Sequence, residues 1–174
     1  MSPELEEKLL KKYPKIFPIS GENSNDEVKN SLLIASCGID CGDGWYILID
    51  TLCKNMQNYI DAKIQGLDKE DAEHYQVVAE QVKEKYGTLR FYHYNGDEYI
   101  SGMIRMAESM SSKICEDCGS KSEVVTKGWI RNLCMNCNHK SKVPNGECMI
   151  IKTANDNNIN SLLKVNKTIL LKLG

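Results

Sequence analysis

An α+β fold, with three main helices on a small β-sheet and a docked four-cysteine ribbon, follows from three observations. Apolar residues recur at helical spacing over 45–64 and over 100–110. Residues 88–94 alternate in the manner of a strand. Two Cys-x-x-Cys pairs, Cys115/Cys118 and Cys134/Cys137, stand fifteen residues apart.

The first element is a short helix over 3–13. Pro3 suits a first turn, Glu4, Glu6 and Glu7 suit the N-terminus, and Lys11 and Lys12 suit the C-terminus. Leu5, Leu9 and Tyr13 share its face, and Pro14 and Pro18 end it. Residues 20–30 are polar and read as an exposed loop; 31–37 form a short apolar segment. Three glycines and two aspartates in 38–44 make a turn, with Asp43 as N-cap of the next helix. That helix, 45–64, is the longest, with Ile49, Leu52, Cys53, Met56, Tyr59, Ile60 and Ile64 on one face and Gly66 beyond its end.

Asp68 caps a second main helix running to Tyr86, with Tyr75, Val78, Val82 and Tyr86 buried and Gly87 as its stop. Strand 88–94 follows, then an Asn95-Gly96 turn. Ile100, Met103, Ile104, Ala107 and Met110 form the apolar face of the third helix. Met56 and Met103 are expected where the two long helices meet. Beyond the ribbon, 148–152 reads as a strand, and Leu162, Val165, Ile169, Leu170 and Leu173 as one helical face. Lysines between those residues raise the alternative of an amphipathic membrane helix. The domain reading is a helical α+β body over 1–112, a ribbon over 113–142, and a C-terminal strand and helix, 143–174, packing on the body.

The cysteine pairs carry the clearest chemistry. Two residues between cysteines let one tight turn aim both sulfurs at one ion, and a second such turn completes a tetrahedral four-thiolate zinc site. Four protein ligands leave no open position, so the ion is structural. Gly119 provides the positive φ that such a turn often needs, and Val124, Val125, Trp129 and Ile130 supply a hairpin between the pairs. Only Lys113 and Ile114 link the third helix to Cys115, too short a tether for a swinging domain. The chain holds eight cysteines. Cys37 and Cys41 are a looser candidate for a second metal pair; with Cys53 and Cys148 their plainer role is as buried free thiols.

The formal net charge is −2, which implies no whole-chain attraction to nucleic acid or membrane. It is unevenly spread. Residues 1–112 carry 12 Lys+Arg against 19 Asp+Glu, whereas 113–142 carry 6 against 3 and 143–174 carry 4 against 2. No signal-type apolar run and no stretch of about 18 apolar residues is present, so a cytoplasmic location is expected.

Catalytic signatures are scarce. The three histidines, His74, His93 and His139, include no pair beside the cysteine knuckles that could activate water. No phosphate loop, dinucleotide fingerprint or nucleophile elbow occurs. Asp40, Asp43 and Asp50 are the candidates for a divalent cation and hence for a metal-dependent hydrolase. Binding signals are better. Arg90, Tyr92 and Tyr94 share one face of the strand, where a guanidinium between two phenols suits stacking and phosphate contact. Trp45 beside Gly42 and Gly44, at a helix N-terminus, is a second anion candidate, opposed by Asp40 and Asp43. A purely structural role for all of these is the competing reading.

Cys41-Gly-Asp-Gly-Trp45, Leu48-Ile-Asp-Thr-Leu52, the block from Gln81 to Tyr92, Ile114-Cys-Glu-Asp-Cys-Gly119 and Gly128-Trp-Ile-Arg-Asn-Leu-Cys134 together resemble a family of small phage- and prophage-encoded zinc-ribbon proteins. The resemblance covers about 40–137. It implies a phage-type setting and a zinc site, and no reaction. Many members of that family carry a histidine near the last knuckle, which makes His139 a competitor of Cys137 as fourth ligand. The expectation is therefore a non-enzymatic accessory protein that binds a host component in the host cytoplasm. It would act as an anti-defence inhibitor that engages a host protein or sequesters an anionic immune nucleotide on Trp45, Arg90, Tyr92 and Tyr94. The alternative is a nucleic-acid-binding zinc ribbon using Lys121, Lys127, Arg131 and Lys140, with Lys113 and Lys142 beside them.

Overall fold

The computed structural model describes residues 1–18, 38–126 and 128–140, with the backbone of 148–150. Cys37, Lys127, Lys142, the apolar segment 31–37 and the C-terminal helical face over 162–173 lie outside the described residues.

Helix α1 is Pro3–Lys12, with Glu4 and Glu6 in its first turn and Lys11 and Lys12 in its last. Strand β1, Ile39–Asp40, leads into a single 3-10 turn, Asp43–Trp45, and then into helix α2, Tyr46–Lys63. Asp43 does not cap α2. It opens the 3-10 turn, and its Oδ1 accepts the Ser2 N–H at 2.6 Å, tying the N-terminus to this loop. One face of α2 is fully committed to the core: Leu48, Ile49, Leu52, Cys53, Met56 and Ile60.

The region after α2 departs most from the sequence expectation. Asp68 does cap a helix, its Oδ1 accepting the Asp71 N–H at 2.9 Å, but this helix, α3, covers only Lys69–Tyr75. The chain then extends as β2, Val78–Lys85, turns at Tyr86-Gly87 and returns as β3, Thr88–Tyr94. Glu, Gln and Lys favour a helix, but intrinsic propensity is small per residue, and pairing with the strongly β-forming residues 88–94 outweighs it. Val82 faces the core as expected, whereas Tyr86 is exposed at the turn.

Sheet order is β1-β2-β3, with β1 parallel and β3 antiparallel to β2. Val82 pairs with Phe91 and Glu84 with Leu89; Leu89 and Phe91 pack inward, beside Ile39, Ile49 and Met56 in one core. Helix α4, Glu98–Ser111, begins at Asp97, whose Oδ1 accepts the Ile100 N–H at 3.0 Å. Its far half covers the free edge of β3. Ser111 Oγ accepts the Leu89 N–H at 2.8 Å, and Glu108 Oε1 accepts the Phe91 N–H at 3.0 Å. Two edge amides that would otherwise invite another strand are thus satisfied internally. Met103 is only half-buried, and Met110 is exposed, because Ser111 rather than Met110 completes the buried face of α4.

A second sheet, order β5-β4-β6, forms the ribbon from β4 (Val124–Thr126), β5 (Asn132–Leu133) and β6 (Cys148–Ile150). Helix α5, Met135–Lys140, follows β5. The expected C-terminal strand forms, but it pairs with β4 of the ribbon rather than with the body, because β4 offers it a free edge. Among the described residues no helix is long and apolar enough to cross a membrane.

Met56 is fully buried and Met103 is not. Met56→Ala should therefore cost about 2–5 kcal/mol by chemical denaturation, and Met103→Ala about 1 kcal/mol or less. Equal losses at the two positions would contradict this packing.

Candidate metal centre and ligand face

The Sγ atoms of Cys115, Cys118, Cys134 and Cys137 all lie within 4.8 Å of one another. A tetrahedral ion with metal–sulfur bonds near 2.3 Å places its sulfurs roughly 3.8 Å apart, and Cys118 Sγ stands 3.6 Å from Cys134 Sγ. None of the four is in a disulfide. The turns are built for the purpose. Gly119 has φ +77 and donates its N–H to Cys115 O at 2.9 Å. In the second knuckle the Cys137 N–H points at Cys134 Sγ at 3.4 Å. Cys115, Cys134, Cys137 and Leu133 form a small core of their own. The thiols are unequal without a cation: hydrogen bonds from Ser120 bring Cys118 down to about 6, while burial pushes Cys115 and Cys137 up. A bound cation favours the thiolate at all four positions. The donor set thus fits a metal ion. His139 is not part of it; Cys137 completes the group.

Among the described residues this is the one cluster of three or more such ligands. Asp40, Asp43 and Asp50 do not converge. Asp50 is held by Lys12 at 2.7 Å and by the Tyr13 hydroxyl at 2.9 Å, and Asp43 by the Ser2 backbone N–H at 2.6 Å. Cys41 is buried, which raises its thiol to about 12, an inert state.

The loop expected to bind an anion instead binds the first knuckle. Trp45 is 0% exposed and donates its indole N–H to Ile114 O at 3.1 Å. The Gly44 N–H donates to Glu116 O at 2.8 Å, and the Gly42 N–H to Glu116 Oε1 at 3.2 Å. A Cβ on Gly44 would stand 2.1 Å from Cys115 O, and one on Gly42 2.2 Å from Glu116 O. These glycines therefore exist for close backbone approach, and Trp45 is a docking residue with no surface to offer. The other Glu116 oxygen accepts from Arg131 Nε at 3.0 Å, and Arg131 also pairs with Asp117. Arg131, expected among nucleic-acid contacts, is thus spent inside the ribbon. Asn132 donates its side-chain N–H to Gly87 O, fastening the ribbon to the β2–β3 turn. Sequence reasoning missed Glu116 and Asn132 as docking residues. Lys140 is exposed at the end of α5, and Lys121 is exposed and bridges to Ile114 through its backbone.

The strand face is placed as expected. Arg90 is half-buried, and Tyr92 and Tyr94 are exposed on the side away from the helices. Arg90 is the direct cross-strand partner of Lys83, a residue that the helical reading of this segment had hidden. The Lys83 ammonium lies 5.8 Å from the Tyr92 ring centre. Arg90 Nη1 donates to Thr88 Oγ1 and to Leu89 O, both at 2.7 Å. Among the described residues no carboxylate forms an ion pair with Lys83 or Arg90, although Asp40 is Lys83's neighbour on β1. A concavity of about 760 Å³ between α2 and α4 is of another kind: Ile47, Tyr99, Met103, Met106 and Met110 line it, and among the described residues no Lys or Arg does.

The close approach at Gly44 gives a direct check. Gly44→Ala should cost at least the ~1–3 kcal/mol typical of overpacking, whereas Gly102→Ala, in open space on α4, should stabilise by about 0.5–1 kcal/mol. Thermal or chemical denaturation of both variants measures this, and a neutral Gly44→Ala would refute the docking geometry. Comparison of the chain with family models, with curated proteins and with solved structures finds no match.

Proposed function

We propose that this chain is a non-enzymatic binding protein. A structural zinc ion on Cys115, Cys118, Cys134 and Cys137 locks the ribbon to the body, and the outer face of β1, β2 and β3 takes a nucleotide-type anion. Zinc is the natural occupant of four thiolates with no open position. The observation that carries the ligand reading is the Lys83–Arg90 pair. Like charges directly opposite each other on two strands are destabilising. Here they stand side by side without ion pairs among the described residues, next to the exposed Tyr92 ring. A phosphate would neutralise the pair, and a base would stack on the phenol. The resemblance to phage-encoded proteins supplies the setting: an accessory protein that sequesters an anionic host nucleotide and so counters host defence. The rival nucleic-acid site on the ribbon is weaker, since Arg131 is bound by Glu116 and Asp117.

Two measurements test this. Elemental analysis should find one zinc per chain, and Cys118→Ser should lower the thermal midpoint, since metal binding is coupled to folding; a metal-free native protein would dispose of the zinc. A thermal-shift panel of nucleoside phosphates and cyclic dinucleotides should contain a binder. Arg90→Ala should weaken it by about 1.5–3 kcal/mol, the range for hydrogen bonds to charged groups. Stability should change little, because relief of the cross-strand like-charge pair offsets the loss of the hydrogen bonds to Thr88 Oγ1 and Leu89 O. A panel without any binder, or an Arg90→Ala variant that binds normally, would refute the ligand face.

A further inference from the structure

The cationic face does not end at Arg90. Lys85 lies opposite Thr88 on the same side, and the hairpin closes through Tyr86 (φ 54) and Gly87 (φ 78). Both residues are left-handed, as the two-residue turn of a twisted hairpin requires. Asn, Asp or Gly ordinarily takes the first position, and a bulky residue there is strained. Burial does not offset that strain, because Tyr86 is 72% exposed. From the ribbon, the loop after Gly128 brings a second ring to the same place. Trp129 is 76% exposed, while Ile130 packs over Gly87. Between them lies a cleft of about 370 Å³, lined by Asp40, Lys83, Lys85, Tyr86, Trp129 and Ile130.

We infer that the ligand of this face is a single-stranded nucleic acid. It runs along β3 past Tyr92, Arg90 and Lys83 and ends with a base in the cleft between Tyr86 and Trp129. This rests on the ligand face proposed above and names its occupant. Three cations, Arg90, Lys83 and Lys85, lie between one exposed ring, Tyr92, and two more, Tyr86 and Trp129, at the hairpin end. A mononucleotide would use one ring and one cationic pair. The strip follows the seven residues of β3, roughly 20 Å at strand spacing, the scale of several nucleotides. Aromatic stacking platforms combined with a cationic track for the backbone are how unpaired strands are held without sequence readout. A duplex keeps its base faces stacked away from such rings. The carboxylates here are few: Asp40 is exposed, and Glu84 is tied through Oε1 to the Gly87 N–H.

The test uses the full zinc-bound chain with fluorescein-labelled (dT)12, (U)12 and a 12-base-pair duplex, and with (Glu)12 as a purely anionic control. One or both single strands should bind, and more tightly than the duplex; the two arms separate DNA from RNA. Three phosphate contacts predict a log–log salt slope near −2, from about −0.7 per contact. Binding should quench Trp129, the exposed indole, and spare Trp45, which is buried. Trp129→Ala should weaken binding by about 5- to 100-fold, the cost of one base–aromatic stack, with an unchanged thermal midpoint. Tyr86→Asn should weaken binding while raising the midpoint, because it relieves the left-handed strain. Oligonucleotide binding that is indifferent to Trp129→Ala and Tyr86→Asn, or equal competition by (Glu)12, overturns the inference. Nucleotide binding that depends on Arg90 without any oligonucleotide binding overturns it too, yet leaves the ligand face standing. Failure of both probes removes the face as well.

Discussion

The structure depends on one close approach: the backbone of 42–45 lying directly against the first cysteine knuckle. No side chain fits at Gly42 or Gly44, because Glu116 O and Cys115 O occupy the space. The same carbonyl of Glu116 takes the Gly44 N–H, its carboxylate bridges Gly42 to Arg131, and Trp45 seals the joint beneath Ile114. Whatever orders the knuckle therefore orders the turn that starts α2, the helix with the most buried residues in the body. An ion on four thiolates acts well beyond its own ribbon in such an arrangement, because its binding energy is spent on folding. The short link after α4 reinforces this. Ser122 donates its N–H to Lys113 O at 2.8 Å, and the Cys115 N–H donates to Ser120 O at 2.6 Å, so the knuckle is clamped from both sides.

Much of this was legible in the sequence. The cysteine spacing gave the thiol cluster, helical periodicity gave α2 and α4, and alternation gave β3 with the correct exposed side. The failure at 76–86 has a physical origin. The residues of β2 carry helix-favouring side chains, and their apolar members Val78 and Val82 happen to fall four apart. Two signals pointed the other way. An isolated strand has no stability without a partner, and a two-residue Tyr-Gly break directly before a strand is a hairpin spacing. The misreading of Trp45 is of a different kind. Glycines beside a tryptophan at a helix start describe an anion site and a docking joint equally well. Only the tertiary partner, 69 residues away, separates them.

The two concavities divide the surface by chemistry. The groove between α2 and α4 is walled by methionines and aromatic rings and holds no basic side chain. It gives an anion nothing, since an unpaired phosphate in apolar surroundings loses its hydration without return. The sheet face has the opposite character, with Lys83 and Arg90 adjacent and both half-buried. A phosphate arriving there meets cations whose mutual repulsion it removes.

The most distinctive stretches of the sequence, 82–92 and 128–134, meet along one seam. Asn132 fastens to Gly87, Ile130 covers Gly87, and Arg131 and Leu133 turn inward to Glu116 and the ribbon core. Each of these residues has an internal partner that accounts for it. Tyr86 and Trp129 differ: large rings on either side of the seam, both mostly in water, the first on a left-handed backbone with only the Lys85 ammonium 5.9 Å from its ring centre. Scattered exposed hydrophobics are ordinary in a soluble protein. Two exposed rings lining one cleft beside two lysines are not scattered. A seam tightened by glycine, asparagine and isoleucine holds the two loops that carry those rings together, which is what the proposed stacking site would require of its scaffold.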